Sequence, residues 1–230
     1  PTSTYLQVLK SAQQIGTKRA EMVARLGFAR VLIEMDDVAA AKTQIAMGQE
    51  MVEALGATRF NPFFTLFQAR VLWRENPKLP DASHIALEGI EMARQIGFGF
   101  VGPWLLGTLA LVSQDPRTRA DALARGEEAL ASECVGHNYF GFYQDAIEVS
   151  LNACMWDEAQ RYASALESYS SAEPLPLSDF LIARARALAE YGRGGRDPSL
   201  LETLRGLRDQ ALEARLQRLA TALVSAVDAP

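Results

Sequence analysis

Residues 37–56 read DVAAAKTQIAMGQEMVEALG, and this stretch decides the fold class. It begins with an aspartate, which can accept hydrogen bonds from the free amides at a helix N-terminus, and it ends with glycine, which tolerates the left-handed backbone that closes a helix. Small and apolar residues recur between them at intervals of three or four, at Ala41, Ile45, Gly48 and Val52. That spacing predicts one helix with a face of small residues.

The same ending recurs along the chain. Apolar–glycine pairs occur at Ile15-Gly16, Leu55-Gly56, Ile96-Gly97 and Val135-Gly136, at intervals of 40, 41 and 39 residues. We interpret each pair as a helix stop, because glycine adopts the backbone conformation that ends a helix. Small residues repeat with the same period, at Ala29, Ala69 and Ala110 among other places. A fixed period in an alanine-rich chain predicts stacked helix pairs.

Aspartates, together with proline- and glycine-rich breaks, divide each repeat into two helices. We expect Asp37, Asp81, Asp121 and Asp157 to lie near the start of the second helix of successive repeats. The predicted helices are 3–15, 18–35, 38–55, 61–75, 82–96, 102–113, 118–133, 138–153, 157–170, 178–192 and 198–226, the last as one helix or two. Proline- and glycine-rich breaks at 76–80, 115–116, 173–176 and 192–198 support these boundaries.

Composition supports an all-α fold. The chain has 36 Ala and 29 Leu but only 12 Val and 8 Ile, which favours helix formers over the β-branched residues of strands. We predict an all-α, right-handed superhelix of antiparallel helix pairs, with about five pairs at a period near forty residues. Residues 1–230 form one domain in this interpretation, and residues 193–230 form atypical C-terminal capping helices. The chain opens at Pro1, which either removal of an initiator methionine or excision from a longer protein would explain, and we expect a fragment of a larger protein.

Charge and cysteine content exclude several classes of protein. The net charge is −5 and the basic residues form no block, so no nucleic-acid partner is expected. Two cysteines, Cys134 and Cys154, cannot build a disulfide framework. The sequence shows no signal peptide and no apolar run of about 18 residues, so we expect a cytoplasmic protein without a membrane partner.

Two short patterns carry a resemblance to a repeat family. Each places a small residue, an apolar residue four positions on and a small residue three further on: Ala41, Ile45 and Gly48, then Ala86, Ile90 and Ala93. This spacing resembles the second helix of tetratricopeptide repeats, which implies a superhelix with a concave binding face. The family period is 34 residues, so the present repeat is a lengthened variety.

A second resemblance covers residues 85–215. The runs that carry it are GFGFVGPWLLG at 97–107, CVGHN at 134–138, FYQDAIE at 142–148, AEPLP at 172–176 and SDF at 178–180. They resemble the C-terminal repeat region of bacterial multidomain adenylate and guanylate cyclases. The resemblance implies a regulatory or sensory part of a signalling protein whose cyclase domain lies elsewhere. The repeat region of an ATPase-type transcriptional regulator is an alternative.

No pattern predicts catalysis. Residues 97–102 match G-x-G-x-x-G, but a helical period precedes them where a dinucleotide site needs a strand, so we interpret them as a turn between helices. His84 and His137 have no metal-ligand neighbours in sequence. We therefore expect no catalytic, metal or cofactor-binding residue and no cofactor. An enzyme would need Cys134, His137 and Asp145 in mutual hydrogen-bond reach.

Aromatic and polar residues at the starts of successive helices give the functional prediction. If the fold is tetratricopeptide-like, these helices line the concave face, where polar groups between aromatic walls suit recognition. The expected binding residues are Asn61, Phe64, Gln68, Trp104, Thr108, Asn138, Tyr139, Gln144 and Asp145. The expected partner is a protein, a peptide or a small ligand, or an upstream domain of the same parent chain. A structural or oligomerising scaffold is the alternative, and the sequence leaves the oligomeric state open.

Overall fold

The structure, a computed structural model, describes residues 2–227, with Val227 described by its backbone alone. Over this range the chain is all-helical and has no strand, which confirms the all-α prediction. The helices are α1 (Thr2–Ile15), α2 (Lys18–Glu34), α3 (Val38–Leu55), α4 (Asn61–Glu75), α5 (Asp81–Ile96), α6 (Gly102–Val112), α7 (Pro116–Leu130), α8 (His137–Asn152), α9 (Trp156–Ser170), α10 (Pro176–Gly192), α11 (Pro198–Glu213) and α12 (Gln217–Val227). The predicted domain ends, residues 1 and 228–230, lie outside the described residues.

Consecutive helices pack against each other along the chain. The even-numbered helices also contact one another in order, from α2 to α4, α6, α8, α10 and α12. They form an inner row, and the odd-numbered helices connect its members. The most enclosed is α6, where every residue from Gly102 to Val112 is buried. An apolar helix of this kind belongs in the middle of a core.

Glycines confirm three of the four predicted helix stops. Gly16, Gly56 and Gly97 have φ angles of +77°, +59° and +109°, in the region that favours glycine. The fourth stop is wrong. The φ of Gly136 is −53°, α7 has already ended at Leu130, and Gly136 directly precedes α8. The period therefore does not extend to this boundary.

Aspartate caps also follow the prediction in part. The Asp37 side chain accepts a hydrogen bond from the Ala40 amide at 3.1 Å and caps α3. Asp81 and Asp157 lie in the first turns of α5 and α9. Asp121, however, lies inside α7, whose N-cap is Asp115. The helix begins earlier than predicted because the Asp115–Pro116 pair supplies both a cap and a residue suited to the first helical turn.

Close contact between inner helices depends on glycine. A Cβ atom at Gly141 of α8 would lie 2.2 Å from the Trp104 ring of α6. One at Gly126 of α7 would lie 2.1 Å from the Phe142 ring of α8. Both distances are shorter than Cβ contacts in proteins, so a side chain at either position would force the ring to shift.

The C-terminal part divides into two helices. The break between α11 and α12 lies at Ala214–Leu216, where Arg215 has a φ of +58°. Helix α12 returns to the inner row and contacts α10. In the described part of the chain, no helix combines the length and the apolar character that crossing a bilayer requires.

Candidate functional site: a buried polar cluster between two cavities

Three of the predicted binding residues meet in the interior. Thr108, Gln144 and Asp145 lie with two residues that the sequence did not single out, Glu34 and Arg70, and we call these five the inner cluster. Arg70 donates to Glu34 at 2.9 Å and also to Asp145. The Thr108 hydroxyl donates to Asp145 at 2.8 Å, and the Gln144 amide donates to Glu34 at 3.0 Å. The inner cluster thereby joins α2, α4, α6 and α8.

Burial makes the charges of the inner cluster interdependent. All five residues are buried, and Thr108 and Asp145 have no exposed surface. Burial alone would lower the pKa of Arg70, but the Asp145 and Glu34 carboxylates outweigh it and raise that pKa above its ordinary value. Glu34 keeps one buried oxygen, Oε2, without a hydrogen-bond partner among the described residues.

Asn138 and His137 hold the turn before α6. The Asn138 amide donates to the carbonyls of Gly99, Phe100 and Val135 at 2.9, 3.3 and 3.0 Å. Its oxygen accepts from the Trp104 amide at 3.3 Å. His137 Nε2 lies 2.5 Å from the Phe100 carbonyl, and burial lowers its pKa. The G-x-G-x-x-G segment is thus an interhelix turn fixed by α8.

The remaining predicted residues lie mostly in packing positions. Phe64 is fully buried, and its ring fills the space over Gly48. Tyr139 donates to the Leu130 carbonyl at 2.8 Å and stacks on Tyr169. Asn61 and Gln68 are half-buried. The nine residues therefore do not line one open groove, and of the nine only Gln144 lines the Arg30 cavity described next.

One cavity lies between α1, α2, α8, α9 and α10, and we call it the Arg30 cavity. Its volume is about 290 Å³, and its walls include Tyr5, Arg30, Phe140, Gln144 and Leu181. The Arg30 guanidinium lies over the Trp104 ring, 4.7 Å from its centroid. Arg30 forms no ion pair with another residue in the part of the chain that the structure describes. The cavity therefore combines apolar walls with a cation that has no paired carboxylate.

The other cavity lies where α4, α8, α10 and α12 meet, and we call it the Arg74 cavity. Its volume is about 450 Å³, and its charged lining residues are Asp36, Arg74, Glu148, Arg184 and Arg218. Arg74 pairs with Asp36 at 3.0 Å, and Arg218 pairs with Glu148 at 3.3 Å. Arg184 donates to Glu148 and, at 3.0 Å, to the Leu219 carbonyl. The last helix of the chain is thus tied to α8 and α10 by charged groups.

Sequence reasoning missed the arginines of the interior. One signal was present: Arg30 and Arg70 each directly follow a small residue of the repeat, Ala29 and Ala69. Since Ala29 and Ala69 are fully buried, the adjoining arginines lie beside the same packed face.

The catalytic set considered from sequence is not assembled. His137 contacts the Phe100 carbonyl, whereas Asp145 bonds to Arg70 and Thr108. Among residues 2–227, no group of three or more His, Cys, Asp or Glu side chains is arranged to hold a metal ion. Comparison with protein-family models, with curated proteins and with solved structures returns no match.

Proposed function

We propose that this chain is a non-catalytic recognition domain, and that its Arg30 cavity binds a small ligand with an apolar body and an acidic group. In this proposal the helix pairs stack as a superhelix of the tetratricopeptide kind. The domain serves as the regulatory C-terminal part of a cyclase-type signalling protein.

The helix contacts support the superhelix. Each helix packs against the next, and the even-numbered helices form a continuous row. In stacked helical repeats, contacts of this kind between neighbouring pairs build the whole core. The small residues Ala29, Ala69 and Ala110 are fully buried in successive members of that row, as stacking requires.

The observation that carries the ligand class is the position of Arg30. A guanidinium beside an aromatic face and without a paired carboxylate provides both charge and hydrogen-bond donors for a carboxylate. Tyr5, Phe140 and Leu181 offer apolar surface within the same cavity. Ligand sites in proteins commonly combine apolar walls with a few polar groups that fix orientation.

The inner cluster connects the proposed ligand in the Arg30 cavity to side chains on four helices of the domain. Gln144 both lines the Arg30 cavity and donates to Glu34, which pairs with Arg70. A ligand that draws Gln144 away from Glu34 would break the hydrogen bond that joins α8 to α2. The resemblance to the C-terminal region of cyclases supports a regulatory use of such a change.

Isothermal titration with 3-phenylpropanoate tests the ligand class, with 3-phenylpropanol as the uncharged probe. We expect saturable binding of the acid, at least tenfold weaker binding of the alcohol, and loss of the acid's affinity in Arg30→Met. Arg19→Met is the matched control, since Arg19 is an exposed arginine of the same helix. Equal binding of acid and alcohol, or unchanged affinity in Arg30→Met, contradicts the proposed ligand class.

The non-catalytic part of the proposal has its own test. The isolated chain is incubated with ATP and Mg²⁺, and cyclic nucleotide is measured. We expect none above the level of a sample without protein. Production that scales with the amount of protein contradicts this part of the proposal.

A scaffold role is the second candidate, and exposed apolar residues on the first two helices favour it. Leu6, Val8, Ile15 and Val23 are 56%, 45%, 78% and 45% exposed. Where such side chains lie together on a surface, they mark an interaction site. Sedimentation velocity over a concentration series distinguishes the candidates: a constant monomer mass supports a receptor, and a mass that rises with concentration and falls in Ile15→Ser supports a scaffold.

A further inference from the structure

The Arg74 cavity is separate from the cavity on which the proposed function rests. The two share no lining residue. Asn152, Gln217 and Thr221 line it beside the charged groups, and Trp73 and Ala222 are its apolar lining residues. Most of its lining residues are polar or charged, unlike those of the Arg30 cavity.

Positive charge is in excess in this cavity. Three guanidinium groups, from Arg74, Arg184 and Arg218, face the carboxylates of Asp36 and Glu148. Glu148 is shared between Arg184 and Arg218, and the side chain of Asp36 is 53% exposed, so its attraction for Arg74 is weakened by water. Among the residues that line the cavity one guanidinium is therefore in excess, and the buried Glu34 carboxylate, which also attracts Arg74 and Arg218, is already paired with Arg70.

Arg74 and Arg218 lie on the same aromatic side chain. Their guanidinium carbons are 5.6 and 4.7 Å from the centroid of Trp73, so they are at most about 10 Å apart. Burial and the nearby charge of Arg218 lower the pKa of Arg74 to about 10. Two like charges therefore lie beside one indole ring at the wall of this cavity.

Arg74 also has a hydrogen-bond donor without a partner. Its side chain is 8% exposed, and the Nη2 atom is buried with no acceptor among the described residues. An unsatisfied buried donor of this kind destabilises the folded chain, and a ligand oxygen would supply the missing acceptor. This orphaned donor is independent of the charge balance and indicates the same kind of ligand.

We propose that the Arg74 cavity binds a small polar oxyanion, through a phosphate or carboxylate group held between Arg74 and Arg218. The fork of N–H groups in arginine matches both oxyanions. Because Arg74 lies on α4 and Arg218 on α12, the bound anion joins the first half of the chain to its last helix. Binding therefore stabilises the attachment of α12.

Titration calorimetry with inorganic phosphate and with citrate tests the site, with sodium chloride at equal ionic strength as the reference. We expect saturable binding of at least one of the two anions and none of chloride, and the preferred anion identifies the group. Arg74→Gln and Arg218→Gln should each weaken binding at least tenfold. Arg186→Gln is the matched control, because it removes the same charge from an exposed pair on α10.

Two results overturn the proposal: no saturable binding of either anion to the wild-type chain, or undiminished affinity in both Arg74→Gln and Arg218→Gln. If circular dichroism shows that Arg74→Gln fails to fold, the anion affinity of Arg218→Gln alone tests the proposal. Arg30→Met should retain phosphate or citrate binding. A failure of the ligand proposed for the Arg30 cavity is therefore distinguishable from a failure of oxyanion binding in the Arg74 cavity.

Discussion

Replacement of Arg70 by methionine tests whether the inner cluster holds the inner helices together. Methionine keeps much of the length and the apolar stem of arginine but removes the guanidinium. The change leaves Asp145 and Glu34 as buried carboxylates that are 0% and 7% exposed. Breaking a buried ion pair in this way costs about 3–5 kcal/mol, because the remaining charge is neither paired nor hydrated. Since single domains have a free energy of unfolding of about 5–15 kcal/mol, this is a large fraction of the total.

A second substitution isolates the interaction itself. Asp145→Asn alone should cost about 1–3 kcal/mol, since it weakens the hydrogen bond from Arg70 while Glu34 still neutralises that arginine. In the double variant Arg70→Met/Asp145→Asn, the Asp145 carboxylate that Arg70→Met leaves unpaired is absent. We therefore expect the free energy of unfolding of the double variant to fall by about 1–3 kcal/mol less than the sum of the losses in the two single variants.

Urea unfolding at neutral pH, followed by far-ultraviolet circular dichroism, measures these free energies. Arg186→Met is the control, because the Arg186–Glu167 pair is exposed on both sides and should contribute no more than about 1 kcal/mol. If Arg70→Met costs no more than Arg186→Met, or if the two substitutions are additive within about 0.5 kcal/mol, the inner cluster is not a coupled network and the reasoning fails.

Two further predictions concern Glu21 of α2 and two glycines. Hydrogen bonds from Gln13 and Arg25 hold the pKa of Glu21 at about 2, below its ordinary 4.5. The ionised Glu21 carboxylate should stabilise the fold by about 1–3 kcal/mol at neutral pH, and this contribution should disappear as the pH falls from about 4.5 to about 2. The free energies of unfolding of the wild type and Glu21→Gln, measured in urea, should therefore converge over that interval. A difference that persists at the lower pH contradicts the prediction. Gly126→Ala should lower the free energy of unfolding by about 1–3 kcal/mol, because the new Cβ would meet an aromatic carbon at 2.1 Å. Gly206→Ala should raise the free energy of unfolding by about 1 kcal/mol, because a Cβ there meets nothing within 4 Å and alanine is the better helix former. Thermal unfolding of both variants measures this contrast, and equal effects would refute the packing argument.

The helices could be predicted from sequence because their signals are local. A cap such as Asp37 and a stop such as Gly56 act within a few residues of the helix end that they define. The same rules failed at Gly136, where the chain follows contacts that are distant in sequence: the Val135 amide donates to the Gly99 carbonyl at 3.0 Å. No pattern within one repeat could have indicated that bond.

The site was predicted only in part for the same reason. Thr108, Gln144 and Asp145 were identified as polar members of inner helices, and the structure brings them together. Their charged partners were missed because each contact joins distant parts of the chain. Gln144 and Glu34 are 110 residues apart, and Arg70 and Asp145 are 75 apart. Such pairs follow from how the helices curve past one another, which the periodicity of a single repeat does not determine.

These long-range bonds also bear on why the interior is charged. Replacing a buried ion pair with apolar residues of similar volume is often neutral or stabilising, so stability alone does not account for the inner cluster. We propose that the inner cluster is kept as a polar connection between the two proposed ligand cavities, through which occupancy of one would change the other. We therefore expect Glu34→Leu/Arg70→Met/Asp145→Leu to fold with near wild-type stability but to lose communication between the cavities. In the wild-type chain, saturating 3-phenylpropanoate should change the affinity of the Arg74 cavity for phosphate or citrate; in the triple variant it should not. An equal change in both proteins, measured by titration, would show that the charged interior does not transmit binding.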